Sequence, residues 1–271
     1  MRPVRLGAID FYNSLPVYQG LYEGAVSAPH VDLVKGTPTE LNRAISRGDL
    51  DITPMSSIEY ALQAEDLVLL PDLSINSVGF VDSVVLFGTP TGRVCLTRKS
   101  ATSVVLLKIL LKHWGSQAEL FRGTPRVEEV GKNYDGALLI GDECLEAALT
   151  HPGVPYRDLG EEWLRLTRSP MVFAVWAARR DFAERHPEEV ERVHQILLKS
   201  RAWGLAHLPR IVEVATKASG FPAGFMARYY EKLKFEFGPA EQRGLARFYE
   251  EAHRLGELSR VPPLPLPKVP A

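Results

Sequence analysis

The stretch "VDLVKGTPTELNRAISRGDLDITPMSSIEYALQ", residues 31–63, decides the fold class. Val31 to Val34 reads as a short strand, and a strongly signalled helix follows it. Thr37 and Glu40 stand at capping-box spacing, and Pro38 falls at the first helical position, where its missing N–H costs nothing. Leu41, Ala44 and Ile45 supply an apolar face, and Gly48 can end the helix. "LDITPM" is a second short strand, and "SSIEYALQ" opens another helix. Strands alternating with helices at this spacing imply α/β architecture.

The pattern extends in both directions. Upstream, Val4 to Ile9 is a short apolar strand that enters a helix through "YNSLP" (Tyr12 to Pro16). Downstream, "LVLLPDLSINS" and "DSVVLFG" are buried-looking strands, and then the pattern restarts. "GRVCLT" predicts a strand and "SATSVVLLKILLKHWG" a helix with Val104, Leu107, Leu111 and Trp114 on one face. "AELFRG" reads as a strand, "GALLIGDECLEAAL" as strand, turn and helix, and "SPMVFAVWAARR" as a long buried strand. From His186 the character becomes helical through "GPAEQRGLARFYEEAHRLGEL". The final "VPPLPLPKVPA" is proline-rich, which predicts an extended segment along the surface. No internal repeat is visible.

Two α/β units followed by helices predict two lobes, with the chain crossing near residues 78–90 and 170–178. The expected division is 1–89 with 173–271 as lobe I and 90–172 as lobe II. That is a hinge-closing arrangement, in which a ligand would be trapped in a cleft.

Composition narrows the function. A net charge of −1 offers no basic footprint for nucleic acid, and the 45% hydrophobic and 24% charged fractions are those of a globular protein. No run approaches a membrane span, and the N-terminus shows no signal-like segment, so a soluble, cytoplasmic protein is expected. Cys95 and Cys144 sit in apolar runs and read as small buried hydrophobes. The histidines form no metal-ligand pattern, so neither a metal nor another cofactor is expected.

Four strand-to-helix junctions share one chemical character: Asn13-Ser14, Ser56-Ser57, the Ser100 to Ser103 run with Thr102 and Ser103, and Gly141-Asp142. Each should set small polar groups beside the exposed N–H groups of a helix start, which favours an anion. Each also has a purely structural explanation. Ser56 with Glu59 has capping-box spacing, Thr102 or Ser103 could cap the helix that follows, Asp142 is a good N-cap after Gly141, and Ser14 is a reasonable cap. Asn13 is then left over. Together the junctions suit a small carboxylate; glycine-rich nucleotide loops and conventional nucleophile sets are missing. Asp10 and Glu59 lie nearby, where the helix dipole alone would favour acids.

Six segments in order carry a resemblance: "YNSLP", "DITPMSSIEYA", "SVVLF", "TSVVLLKILL", "ALLIGDECL" and "DLGEEWLRLTRSPMVFAVW". They resemble the MqnA family, the chorismate dehydratases of the futalosine route to menaquinone. The resemblance implies a periplasmic-binding-protein-like fold of type II used as an enzyme. It implies an active-site role for Asn13, a pocket-facing Ser83 in the first crossover strand, and a cleft lined by Ser56, Ser57, Thr102 and Ser103. The implied substrate is the dicarboxylate chorismate, whose own enolpyruvyl carboxylate could serve as the base. The sister family that makes 1,4-dihydroxy-6-naphthoate has "PND" where this chain has Asn13-Ser14. A non-catalytic binding protein for a small carboxylate is the remaining alternative.

Overall fold

The computed structural model describes residues 2–264, so the proline-rich tail from residue 265 onward lies outside the described residues. In chain order the elements begin β1 (Val4–Ile9), α1 (Leu15–Tyr22), β2 (Val31–Gly36), α2 (Pro38–Ser46), β3 (Ile52–Ser56) and α3 (Ser57–Leu62). They continue with β4 (Leu67–Ser77), β5 (Val84–Gly88), β6 (Arg93–Leu96), α4 (Ala101–His113), β7 (Glu119–Arg122) and β8 (Gly136–Ile140). Next come α5 (Gly141–Thr150), β9 (Tyr156–Asp158), α6 (Leu159–Thr167) and β10 (Met171–Arg179). The remainder is α7 (Arg180–Arg185), α8 (Pro187–Ala206), α9 (Leu208–Ser219), α10 (Ala223–Lys232), the short β11 (Leu233–Lys234) and α11 (Pro239–Arg254).

Among the described residues the chain forms two compact units, one of residues 2–75 with Ala174–Glu236, the other of Asn76–Phe173 with residues 237–264. The sequence reading set the boundaries elsewhere, and packing explains both differences. Residues 76–89 go with the second unit because β5 pairs along its length with β8 and also with β9. The last helix joins that unit too: Phe248 of α11 meets Trp163 edge-on at 6.0 Å between ring centroids. Gly244 lets the backbone of α11 approach Pro170, whose oxygen lies 2.3 Å from where a Cβ would stand.

In the first unit the sheet order is β11-β4-β10-β3-β1-β2. β1 runs parallel to β2 and β3, and β10 runs antiparallel to β3 with Ala174 opposite Ser56. The carboxyl ends of β1 and β3 therefore adjoin. The α2 helix is built as its sequence predicts: Glu40 N–H donates to Thr37 Oγ1 while Thr37 N–H donates to Glu40 Oε2, and Leu41 and Ile45 are buried. α1 is pinned from below by a relay, in which Trp176 Nε1–H donates to Tyr18 Oη at 2.9 Å and that hydroxyl donates to Gly7 O at 2.8 Å. Both rings are buried, and the relay satisfies the polar atoms that burial would otherwise strand.

In the second unit the order is β7-β6-β8-β5-β9. β6 is parallel to β7 and β8, and β5 is antiparallel to β8 with Val84 opposite Ile140. The carboxyl ends of β6 and β8 and the amino end of β5 thus share one edge. α4 is more apolar than a single face: Val105, Leu106, Ile109 and Leu110 are buried along with Val104, Leu107 and Leu111. It ends at His113, with Trp114 as its C-cap and only partly buried.

Candidate active site

Each unit gathers part of the candidate set at the carboxyl end of its sheet, where open α/β folds bind ligands. In the first unit β1 leads through Asp10 and Phe11 into a 3-10 turn, Tyr12–Ser14, and then α1. Ser14 does not cap. Its buried hydroxyl turns back toward the strand exit, lying 2.6 Å from Ile9 O and 3.0 Å from Phe11 O. Ser14 stands at the N-cap position of α1, as expected, but makes no capping bond. Tyr230 Oη, from α10, donates to Tyr12 O at 3.0 Å and fixes the turn from the other side. Asn13 is left with a buried Oδ1 that has no hydrogen-bond partner. A buried acceptor in that condition costs about 1–3 kcal/mol, so it is a place where a ligand's donor would be welcome.

Beside this turn, Ser56 ends β3 and Ser57 begins α3, both buried. Ser56 stands at the N-cap position, yet its side chain makes no cap bond, which corrects the Ser56–Glu59 capping-box reading. Glu59 instead accepts from Gln63 Nε2 at 3.4 Å. Tyr22 is pushed up to about 12 by burial and by the nearby Asp10 carboxylate, so it stays a neutral phenol.

In the second unit Ser83 lies just ahead of β5, not within it as the resemblance implied, and is buried. Its backbone is held at both ends: Ser83 N–H donates to Val81 O at 2.7 Å, and Ser83 O accepts from Gly141 N–H at 2.8 Å. The second bond uses the first N–H of α5, so that donor is not open to an anion. Gly141 takes φ +60°, which glycine adopts without strain, and it lets β8 turn directly into α5. The N-cap position falls on Ile140 and Asp142 moves into the first turn, which corrects the N-cap reading of Asp142. For α4 the cap is Ser100, whose Oγ accepts from Ser103 N–H at 3.1 Å and donates to Ser103 Oγ at 2.9 Å. Neither Thr102 nor Ser103 is the cap; both sit buried in the first helical turn.

Asn13, Ser14, Ser56 and Ser57 therefore adjoin at one sheet edge, and Ser83, Thr102, Ser103, Gly141 and Asp142 at the other. Sequence reasoning named the Ser100 to Ser103 run but gave the cap to Thr102 or Ser103 instead of Ser100, and it missed Tyr230 and Asp158. Asp158 caps α6 through Gly160 and Glu161 N–H, and its spacing to Glu161 was a readable signal. The thiol of Cys144 is driven well above its ordinary range by burial, and both cysteines are free and buried, as their apolar context predicts. Among the described residues no three His, Cys, Asp or Glu side chains gather so as to hold a metal ion, and no helix is long and apolar enough to cross a membrane. The chemistry on offer is that of hydroxyls and one amide: hydrogen bonds to an oxygen-rich ligand.

The fold is that of the periplasmic binding proteins. A protein of Archaeoglobus fulgidus superposes with a TM-score of 0.76 at 19% identity, covering 94% of this chain and 98% of that one. The periplasmic aliphatic sulphonate binding protein of Escherichia coli gives a TM-score of 0.67, also at 19% identity, covering 97% of this chain and 94% of its own. Within that architecture the chain belongs to the menaquinone biosynthesis family, whose profile matches residues 4–254. It is 33% identical over 269 residues to the chorismate dehydratase of Thermus thermophilus, covering 92% of this chain and 95% of the relative.

Proposed function

We propose that this protein is a lyase that dehydrates chorismate to 3-[(1-carboxyvinyl)oxy]benzoate and water, the opening step of the futalosine route to menaquinone. Family membership and the Thermus thermophilus relative support the reaction class. The observation that carries it to particular residues is the buried, unpartnered amide oxygen of Asn13 at the carboxyl end of β1.

The reaction removes the C3 proton and the C4 hydroxyl of chorismate. The electron pair of the C3–H bond completes the ring's third double bond as the C4–O bond breaks, and proton and hydroxide leave together as water. Aromaticity makes the elimination downhill, so the protein has to orient the ring and manage one proton. We assign Asn13 to the C4 oxygen, whose hydroxyl can donate to the unpartnered Oδ1, or to the enolpyruvyl group through the amide N–H, and the Ser56-Ser57 and Thr102-Ser103 pairs to one carboxylate each. Ser83 faces the substrate in this reading, and the enolpyruvyl carboxylate takes the C3 proton. Hydrogen bonds held ready for a developing charge act most strongly where water is excluded.

The test is direct. Purified protein mixed with chorismate should give a product lighter by one water in mass spectrometry. Asn13→Ala should lower turnover by about 10²–10³-fold, the usual loss on removing one such group, with an unchanged circular-dichroism spectrum. Chorismate left intact by the folded wild type would turn the reading toward a binding protein. Normal turnover in the Asn13 variant would remove Asn13 from the mechanism.

A further inference from the structure

Ser83 sits on a turn that something must hold. We propose that Asp158 is a positioning residue for Ser83, its carboxylate clamping the Val81–Ser83 turn while the same group caps α6. The inference rests on the reading of Ser83 as an active-site residue.

The two carboxylate oxygens of Asp158 divide their work. Oδ1 accepts from Gly160 N–H at 2.9 Å and Glu161 N–H at 3.1 Å, at the start of α6. Oδ2 accepts from Asp82 N–H at 2.7 Å, and Val81 N–H lies 3.2 Å from Oδ1 and 3.1 Å from Oδ2. Capping alone needs only the first pair. The second pair reaches across to a chain segment far away in sequence, directly before Ser83.

That segment needs holding. Asp82 takes φ +58°, a conformation that costs a non-glycine residue about 1–3 kcal/mol and persists only when its surroundings over-determine it. The surroundings here are the Asp158 carboxylate, the Cys144 thiol donating to Asp82 O at 3.3 Å, and Ser83 O accepting from Gly141. Gly160 adds a close approach, since a Cβ there would stand 2.5 Å from Gly79 O. α6 and the turn are built against each other, with Asp158 as the shared acceptor.

The carboxylate is buried, and this raises its pKa to about 6 against the pull of its backbone donors. The charged or titratable groups that bear on it are few. Asp82 on the turn raises it further, Cys144 on α5 is neutral, and Glu161 on α6 is paired with Arg165 at 2.9 Å. The sign follows. Between the ordinary carboxylate pKa near ~4 and about 6, the folded protein binds a proton that the unfolded chain does not, so this group favours folding more as pH falls through that window. Protonation, however, turns one oxygen into an O–H donor among four backbone N–H groups, so the carboxyl can no longer accept from all of them and its hold on the turn loosens. Activity should therefore fall toward acid while the fold does not weaken on this account.

The first test uses the wild type. kcat should decline below about pH 6. Amide exchange at Val81 and Asp82, corrected for intrinsic rate, should rise over the same window without a drop in melting temperature. The second uses Asp158→Ser, which can still cap α6 but is too short to reach the turn. Its kcat should fall about 10- to 100-fold, as for loss of hydrogen bonds to a charged group, with KM little changed, the acid decline gone and residues 81–82 exchanging fast. Should Asp158→Ser not fold, the wild-type titration alone decides. Full kcat with the acid decline intact, or unchanged exchange at residues 81–82, would overturn the inference. Ser83→Ala with normal turnover would overturn the reading of Ser83 and the positioning role with it; the exchange data would still show whether the clamp exists.

Discussion

Replacing Gly204 by alanine should damage the candidate site from a helix that contributes no residue to it. Gly204 is in α8, which packs on α1, and a Cβ there would stand 2.0 Å from Pro16 O, 2.8 Å from Pro16 C and 2.9 Å from Pro16 Cα. A carbon–oxygen contact needs about 3.3 Å, so the shortfall is about 1.3 Å, and what stands in the way is backbone that cannot rotate aside. Overpacking of this kind costs about 1–3 kcal/mol, here at the upper end, offset by up to about 1 kcal/mol of alanine's helix propensity. A net loss of about 2 kcal/mol is expected in urea unfolding. Pro16 is three residues from Asn13, so relief of the clash moves the turn that carries Asn13. A displacement near 1 Å can cost up to about 10²-fold in rate, and kcat should fall well beyond what stability predicts. Gly20→Ala is the matched control in the same helix pair. Its Cβ would meet only side chains, Ser200 Oγ at 3.0 Å and Trp203 Cε3 at 3.2 Å, which need give by a few tenths of an ångström, and the Ser200 hydroxyl has no hydrogen-bond partner to lose on moving. Its stability should change by no more than about 1 kcal/mol. Equal urea midpoints for the two variants would refute the packing argument. A Gly204 variant that loses stability but keeps kcat would refute the link from α8 to Asn13.

Two further perturbations probe the first unit. Tyr230→Phe removes the donor to Tyr12 O; it should cost about 1 kcal/mol in unfolding and lower kcat more than KM, because the Tyr12–Ser14 turn loses its outer tether. Asp51 is fully buried and receives Arg2 through two nitrogens at 2.6 and 2.8 Å as well as Arg5 Nη2 at 3.0 Å and Arg5 N–H at 2.9 Å. These bonds hold its carboxyl well below the ordinary range despite burial. The stability it contributes is therefore complete above about pH 4 and is lost as pH falls further, toward the folded-state value. Asp51→Asn should cost about 3 kcal/mol at pH 7, the low end for a broken buried pair because Arg2 is half-exposed, and should flatten the acid-unfolding curve below about pH 4. An unchanged acid slope in calorimetry would mean that another carboxylate governs it.

What the sequence made legible was local. The α2 capping box rests on residues three apart, and the apolar rows of α4 repeat within one helix, so neither depends on the rest of the chain. The membership of α11 was not legible, because it rests on Phe248 meeting Trp163 and on Gly244 meeting Pro170, contacts between distant segments with no local signature. The same holds for Tyr230 reaching Tyr12 and for Asp158 reaching Val81 and Asp82. The candidate residues themselves were found by resemblance and by their position after strands. What their side chains do was misjudged wherever capping chemistry was assumed.

That misjudgement is itself informative. At α2, α4 and α6 the N-terminus is capped by a side chain: Thr37, Ser100 and Asp158 accept the backbone N–H groups, as propensity predicts. At α1, α3 and α5 the residues that local rules would appoint do something else. Ser14 turns back to the strand, Ser56 makes no cap bond, and Asp142 is carried past the cap by Gly141 at φ +60°. A hydroxyl spent on a cap is less available to a ligand, so the missing cap bond at Ser56 leaves that side chain free of one competing use. All three exceptions fall at the carboxyl ends of the strands they follow, beside residues the resemblance had marked. Among those residues only Asn13 has a buried side-chain atom with no partner. Three of the four candidate junctions thus depart from the capping rule, while the fourth, at α4, keeps it because Ser100 takes the cap ahead of Thr102 and Ser103.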